Sequence, residues 1–166
     1  MSENFSRLDT LVRSGQFERA LGYLEQESRA LRSVDVHRHE ATRAELLYQT
    51  GQIAQASGLA TRLLNEPLPV ALEAKVAYVA AVANFEEGRF DGSLDHIRRS
   101  VRVAQSSGDC NLIAMAQLGL LRLVADTDSA IVPLLRDVRR VIARTGDPHL
   151  MCAACAPCID LQTIVD

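Results

Sequence analysis

A six-residue pattern recurs along this chain at a nearly constant spacing, and it constrains the possible folds more than any other feature of the sequence. The first residues of its copies are Gly15, Gly51, Gly88 and, more weakly, Ala125. The three glycines are 36 and 37 residues apart. A second marker, Ser107-Gly108-Asp109, returns 38 residues later as Thr145-Gly146-Asp147. Two independent markers with almost the same period predict an array of similar structural units.

Each marker has a physical role at the end of a helix. The recurring glycine follows one amphipathic run and precedes another, which predicts a helix that ends in the left-handed conformation favoured by glycine. Five positions later the chain carries a small residue, which would let two helices approach closely: Ala20, Ala56, Ser93 and Ala130. The Gly-Asp marker predicts a helix end followed by an aspartate N-cap, and it would separate one repeat from the next.

Apolar residues between the markers are spaced as on one face of an α-helix. Phe5, Leu8 and Val12, for example, fall at i, i+3 and i+7. No segment favours a strand, so the predicted fold class is all-α. The predicted helices span 3–14, 17–31, 37–50, 53–65, 70–86, 90–106, 110–124, 128–144 and 148–162. Pro133 and Pro157 lie inside two of them and predict a kink or an early helix end at those positions.

The composition excludes several classes of protein. The chain has 166 residues, of which 48% are hydrophobic and 23% charged, as in a folded soluble domain. Its net charge of −3 provides no general basic field for nucleic acid or anionic lipid. The polar start lacks the apolar segment of a secretory signal, and the most apolar stretch, 112–125, is too short and too polar to span a bilayer. We therefore expect a cytoplasmic protein with reduced cysteines and with no direct nucleic-acid or membrane partner.

These markers resemble those of the tetratricopeptide repeat (TPR) family, in the slightly long form of the repeat. The family's turn pattern, Gly-x-aromatic-x-x-Ala, is matched by Gly15-Phe17-Ala20 and, with one change, by Gly88-Phe90-Ser93. The Leu-Gly pair of the family's first helix occurs at Leu118-Gly119. The chain departs from the pattern in having no tryptophan and in carrying Ile53 where the family has an aromatic residue.

The resemblance implies an all-α, right-handed α-solenoid of about four helix pairs plus one extra C-terminal helix. It implies a single domain, 1–166, with repeats at approximately 1–35, 36–69, 70–108 and 109–146 and a partial fifth repeat at 147–166. It further implies a non-catalytic scaffold for protein–protein interaction that binds a peptide or a protein helix.

The first helices of such a stack line its concave face, and superposing the repeats on their turns places equivalent residues in rows. The first row is Val12, Tyr48 and Phe85; the second is Phe5, Ala41, Tyr78 and Met115; the third is Asp9, Glu45 and Val82. Most of these residues are apolar or aromatic, so the rows predict a groove that binds a peptide or an amphipathic helix. Asp9 and Glu45 would form an acidic edge. Some TPR modules grip a C-terminal carboxylate on this face, and the two acidic residues predict that this chain does not.

Three local patterns are candidate metal-binding or catalytic sites, and each has a simpler structural interpretation. Cys152, Cys155 and Cys158 have the spacing of zinc or iron–sulfur ligands, but no fourth ligand is evident, so small-residue packing is favoured. The His37-Arg38-His39 segment is interpreted as a solvated turn. Asp95 and His96 are adjacent on a predicted helix and cannot face each other as a catalytic pair. We therefore predict no enzyme activity, no metal and no cofactor.

Two arginine clusters lie on predicted second helices. They are Arg98-Arg99-x-x-Arg102 and Arg136-x-x-Arg139-Arg140-x-x-x-Arg144. Surface ion pairing with Asp95, Asp137 and their neighbours is favoured over binding of an acidic partner.

The C-terminal segment 150–159 contains no charged residue, although the last repeat of a solenoid needs a polar outer face. Either the chain continues in a longer protein, or the apolar helix mediates homo-oligomerisation. The long repeats with Gly-Asp turns also resemble helical regions of large bacterial transcription activators, which implies a regulatory role in such a protein. The alternatives are a sensor for a small ligand or a peptide signal, and a metal-binding protein that uses the cysteine cluster.

Overall fold

The computed structural model describes residues 3–27, 33–124 and 131–145, and over these ranges the chain forms eight helices. They are α1 (Glu3–Arg13), α2 (Phe17–Glu27), α3 (Ser33–Gln49), α4 (Ile53–Leu63), α5 (Val70–Glu86), α6 (Phe90–Ser107), α7 (Cys110–Val124) and α8 (Ile131–Thr145). No strand occurs in the described part of the chain, which confirms the all-α prediction. The expected ninth helix and Cys152, Cys155 and Cys158 lie outside the described residues.

The helices stack in the order in which they occur along the chain. Each helix packs against the next one, and α3 also packs on α5 and α5 on α7. Helices joined by turns of two or three residues must run antiparallel, so the chain forms successive hairpins whose first helices are neighbours. This arrangement is an α-solenoid, as the repeat period predicted.

The three glycine turns have one common structure. Gly15, Gly51 and Gly88 have φ angles of 70°, 78° and 76°, in the left-handed region. In each turn the glycine N–H donates to the carbonyl three residues before it, and the next residue donates to the carbonyl five residues before itself. These two bonds define the Schellman motif, which satisfies the last carbonyls of the first helix. The predicted helix–turn–helix unit is therefore confirmed.

The Gly-Asp marker is also confirmed as a boundary between helix pairs. Gly108 ends α6 with a φ of 70°. The Asp109 carboxylate then accepts hydrogen bonds from the N–H groups of Asn111 and Leu112, at 2.8 and 3.3 Å, as an N-cap of α7. The second copy of this marker begins at Thr145, and Gly146 and Asp147 lie outside the described residues.

Three of the four small residues after the turns lie in the described ranges and are buried as expected, while Ala130 lies outside them. Ala20, Ala56 and Ser93 have at most 1% of their surface exposed. On α6, the hydroxyl groups of Ser93 and Ser100 each donate to a carbonyl of α5, at 2.8 Å from Ala81 O and Ala74 O respectively. The helices of this pair therefore contact each other through backbone as well as side chains.

Two local expectations are wrong. Helix α8 continues through Pro133 to Thr145, so the early helix end expected at Pro133 does not occur, while Pro157 lies outside the described residues. His37 and His39 belong to α3 rather than to a solvated turn. His39 is buried, and its Nε2 lies 2.9 Å from Leu24 O on α2.

No helix in the described part of the chain combines the length and the apolar character that crossing a bilayer requires.

Candidate functional site

A cleft of about 180 Å³ lies on the face formed by the first helices of three successive pairs. Its lining residues come from α1, α3 and α5 only: Leu8, Asp9, Val12, Arg38, Ala41, Thr42, Glu45, Leu46, Leu72 and Lys75. Four of the residues that the sequence rows predicted for the groove, Asp9, Val12, Ala41 and Glu45, are brought together here. The cleft needs the repeat architecture, because no single helix pair contributes all of its walls.

The lining combines an apolar floor with charges of both signs. Leu8 is buried, and Val12 and Leu72 are half-buried, so they present the apolar surface. Asp9 and Glu45 supply carboxylates, while Arg38 and Lys75 supply cations.

Arg38 is a lining residue that sequence reasoning did not select. It lies 13 residues before Gly51, and Lys75 lies 13 residues before Gly88, so the two cations share one register of the repeat. Extending the superposition by one further row would have found this pair. The acidic edge predicted from Asp9 and Glu45 is thus accompanied by a basic row.

Tyr48 and Tyr78 continue the first-helix face beyond the cleft, and both are half-buried. Burial raises the pKa of each phenol above 10.0, while the positive charge of Arg122 acts in the opposite direction. Arg122 lies on α7, 37 residues after Phe85, and therefore extends the row of Val12, Tyr48 and Phe85. Its Nη2 lies 4.0 Å from Glu86 Oε1.

Other residues predicted for the groove face their neighbours more than solvent. Val82 is only 4% exposed, so it presents almost no surface to a ligand. The Tyr78 ring lies against α7, because a Cβ placed on Gly119 would be 2.6 Å from Tyr78 Cε2. Phe85 makes an edge-to-face contact with Phe90, with ring centroids 5.4 Å apart.

Met115 and Phe5 complete the predicted set. Met115 is half-buried and packs against the cluster of Ala74, Ala104, Leu112 and Ala116. The side chain of Phe5 lies outside the described residues. The face therefore presents an open charged cleft near α1 and α3, and a more closely packed surface near α7.

The histidines form structural contacts. His37 Nε2 lies 2.9 Å from Glu66 Oε2, and His39 bonds the α2 backbone, so the two rings serve different neighbours. Burial lowers the pKa of His96, with Arg99 acting in the same direction and Asp95 against it. Among the described residues, no group of three or more His, Cys, Asp or Glu side chains is placed to bind a metal ion. Cys110 is a free, half-buried thiol.

The arginine clusters are partly ion-paired, and the partner of Arg99 differs from the predicted one. Arg99 pairs with Glu73 of α5, with Nη2 at 2.8 Å from Oε1, rather than with its own-helix neighbour Asp95. Arg140 pairs with Asp137, as expected, at 3.3 Å.

Comparison with solved structures identifies the fold. The chain is similar to two crystal structures of nearly identical TPR-like repeats from a Podosopora anserina kinesin light chain-like protein, one of which is a single-residue variant. The TM-scores are 0.65 and 0.64, at 17% sequence identity, over 96% of this chain and 87% of each of the others. No protein-family model matches the chain, and neither does any curated protein. The chain therefore has the fold of a TPR-like α-solenoid, as the resemblance implied.

Proposed function

Taking the TPR-like fold as the premise, we propose that the chain is a non-catalytic scaffold that binds an amphipathic peptide segment or helix of another protein on its first-helix face. The cleft between α1, α3 and α5 carries this proposal. A segment lying across it would contact side chains from three repeats at once. Solenoids typically use such extended surfaces for binding.

The lining indicates the chemistry of the segment. An apolar side chain would pack on Val12 and Leu72, since both are half-buried and retain surface to cover. A basic group would face Asp9 and Glu45, and an acidic group would face Arg38 and Lys75. The proposed ligand is therefore an amphipathic segment with both charges beside an apolar anchor.

The volume of the cleft favours a segment over a small-molecule signal. Pockets that enclose small ligands usually measure about 300–1,000 Å³. The cleft, at about 180 Å³, is smaller and suits one or two side chains of a longer ligand.

A catalytic role has no support in the described titratable groups. The pKa values of Tyr48, Tyr78 and His96 depart from their ordinary values chiefly because these side chains are partly buried. None of the three makes a hydrogen bond to a serine or cysteine nucleophile within the ranges described. The relation to bacterial transcription regulators and the cytoplasmic location stay predictions from the sequence.

The proposal is tested by selecting random dodecapeptides on the purified chain with a display library. The dissociation constants of the selected peptides are then measured by fluorescence anisotropy. We expect the double substitution Asp9→Asn/Glu45→Gln to weaken binding about tenfold, since two charge-assisted contacts are lost. The matched control, Glu18→Gln/Asp91→Asn, removes two exposed acidic groups from second helices and should leave affinity unchanged.

Apolar contact is tested separately with Val12→Asp, which puts a charge on the floor of the cleft. We expect selected peptides to lose binding while the circular dichroism spectrum stays helical. Peptides that bind the cleft variants as tightly as the parent chain would contradict the proposal.

A further inference from the structure

A row of arginines runs along the second helices of the stack. Arg62 on α4, Arg99 on α6 and Arg136 on α8 are each 37 residues apart, so they occupy equivalent positions in successive repeats. This row lies on helices that contribute nothing to the cleft. Any role that it has is therefore separate from the proposed peptide-binding face.

The first two arginines have a structural role. Arg62 forms an ion pair with Glu40, on the first helix of its own pair. Arg99 does the same with Glu73, and its Nη2 also lies 3.3 Å from Leu64 O on the preceding pair. Charge pairing between first and second helices explains these two positions.

Arg136 has no equivalent partner, because α7 contains no aspartate or glutamate at all. The side chain of Arg136 is exposed. It has no ion pair with any other residue in the described ranges, in contrast to Arg62 and Arg99. The structural explanation that fits the first two members of the row thus does not extend to the third.

Arg136 begins a basic stripe along α8. Arg140 and Arg144 follow it at i+4 and i+8, and all three are exposed. Like charges at i, i+4 destabilise a helix, so the stripe has a local cost. Arg144 is in the last turn, where a cation stabilises the helix dipole, but Arg136 lies in the first half of the helix and gains nothing from it. Asp137, which pairs with Arg140, is the only acidic residue of α8.

We propose that this basic stripe, Arg136–Arg140–Arg144, binds an acidic helix of a partner protein. Successive arginines are about 6 Å apart along the axis, given a rise of about 1.5 Å per residue. Glutamates at i, i+4 and i+8 on a helix of the partner protein have the same spacing. Guanidinium groups also bind carboxylates through paired hydrogen bonds, which makes arginine better suited than lysine to this contact.

The surroundings of the stripe favour a protein over nucleic acid or lipid. Helix α8 has no aromatic residue on which a base could stack, and the chain as a whole carries a charge of −3. Val138 and Ile142, its buried apolar residues, face the core rather than a membrane surface. These features favour, as the ligand of this short basic stripe, an acidic helix of another protein.

The probe for the test is a synthetic alanine-rich helical peptide with glutamates at i, i+4 and i+8. A second peptide of identical composition has its glutamates distributed around the helix. We expect the full chain to bind the first peptide about tenfold more tightly than the second at low salt, by fluorescence anisotropy. Arg136→Gln/Arg144→Gln should abolish that preference, whereas Arg13→Gln/Arg19→Gln, the control with the same charge change on α1 and α2, should keep it.

Charge reversal completes the test. Arg136→Glu/Arg144→Glu should reject the glutamate peptide and bind its lysine counterpart, and circular dichroism should confirm that the variant stays folded. Equal affinity for the two glutamate peptides would overturn the proposal. So would tighter binding of single-stranded DNA or of phosphatidylserine vesicles that is lost in the same glutamine variant. Self-association in sedimentation that disappears in this variant would assign the stripe to a second copy of the chain instead.

Discussion

The first-helix face is open near α1 and α3 but closed near α5 and α7, although both parts are built from the same repeat. One row of the repeat, six residues before the first residue of each recurring marker in the sequence, differs between the two parts. Its members are Asp9, Glu45, Val82 and Gly119. The two acidic residues line the cleft, whereas Val82 is buried and Gly119 lies under the Tyr78 ring. The residues of this register are therefore charged in the open part of the face and apolar or small in the closed part.

The closed part derives its packing from small residues on both sides of α5. Five of the six alanines of this helix are buried, and the hydroxyl groups of Ser93 and Ser100 on α6 donate to its backbone carbonyls. Helix α3, in contrast, directs Arg38 and Glu45 into the cleft. We therefore expect substitutions in the closed part to change stability, and substitutions at the open part to change binding.

The largest effect is expected for Gly119→Val. A Cβ at this position would lie 2.6 Å from Tyr78 Cε2 and 2.9 Å from Ile97 Cδ1, and both atoms would have to move. Overpacking of this kind lowers the free energy of unfolding by about 1–3 kcal/mol, and a branched side chain should reach the upper half of that range. Urea unfolding followed by circular dichroism measures the change.

Gly58→Ala is the matched control for this substitution. Gly58 also lies inside a helix, but a Cβ there has no neighbour within 4 Å. We expect this variant to be more stable by about 0.5–1 kcal/mol, because alanine loses less conformational entropy than glycine when a helix forms. If Gly119→Val and Gly58→Ala had similar effects, α7 would not be closed on α5 through Gly119.

A smaller effect is expected when the α5–α6 hydrogen bonds are removed. Ser100 is fully buried and donates to Ala74 O at 2.8 Å, so Ser100→Ala should cost about 1 kcal/mol. Ser106→Ala is the control, since Ser106 is exposed and bonds only its own helix, to Val103 O. It should change stability by less than about 0.5 kcal/mol. A Ser100→Ala variant as stable as the control would show that the interhelical bond contributes no net stability.

The sequence predicted the helices and turns of this fold well. Left-handed glycines and an aspartate cap are local features, and each leaves a local signal: Gly15, Gly51, Gly88 and Asp109 all have the predicted roles. Where both sides of a helix end are described, the end falls within a few residues of the one expected. The burial of Ala20 and Ala56 followed from the same local pattern.

The structure of the face could not be predicted equally well, because it depends on which neighbour each side chain meets. Val82 and Glu45 share a register, yet one is buried and the other lines the cleft. Val82 lies on α5, which packs against α3, α4, α6 and α7, whereas Glu45 lines the cleft with Asp9, Arg38 and Lys75. His39 shows the same limitation, since its burial depends on the carbonyl of Leu24 in another helix.

The pH dependence of stability offers a third test of the closed part. Burial raises the pKa of Tyr78 above 10.0, and the nearby Tyr48 and Glu45 raise it further. The positive charge of Arg122 lowers this pKa, but its effect is smaller than that of burial. The unfolded chain loses this proton at lower pH than the folded chain. The stabilisation from Tyr78 is therefore complete below pH 10.0 and is lost as the pH rises through the folded pKa.

We expect the free energy of unfolding of the parent chain to fall more steeply above pH 10.0 than that of Tyr78→Phe. Denaturant unfolding at a series of pH values measures both slopes, and tyrosinate absorbance reports the ionisation directly. Identical slopes for the two proteins would show that Tyr78 is as accessible in the folded chain as in the unfolded one.

The smallest effect on stability is expected at the open part of the face. Asp9 is exposed and Glu45 half-buried beside the cleft, and neither forms an ion pair with another described residue. Asp9→Asn/Glu45→Gln should therefore change the free energy of unfolding by less than about 0.5 kcal/mol. The same variant should lose affinity for peptides selected on the parent chain. A loss of stability comparable to that of Gly119→Val would show that these two carboxylates stabilise the solenoid. The open part of the face would then contribute to stability as the closed part does, and the two parts would differ only in charge.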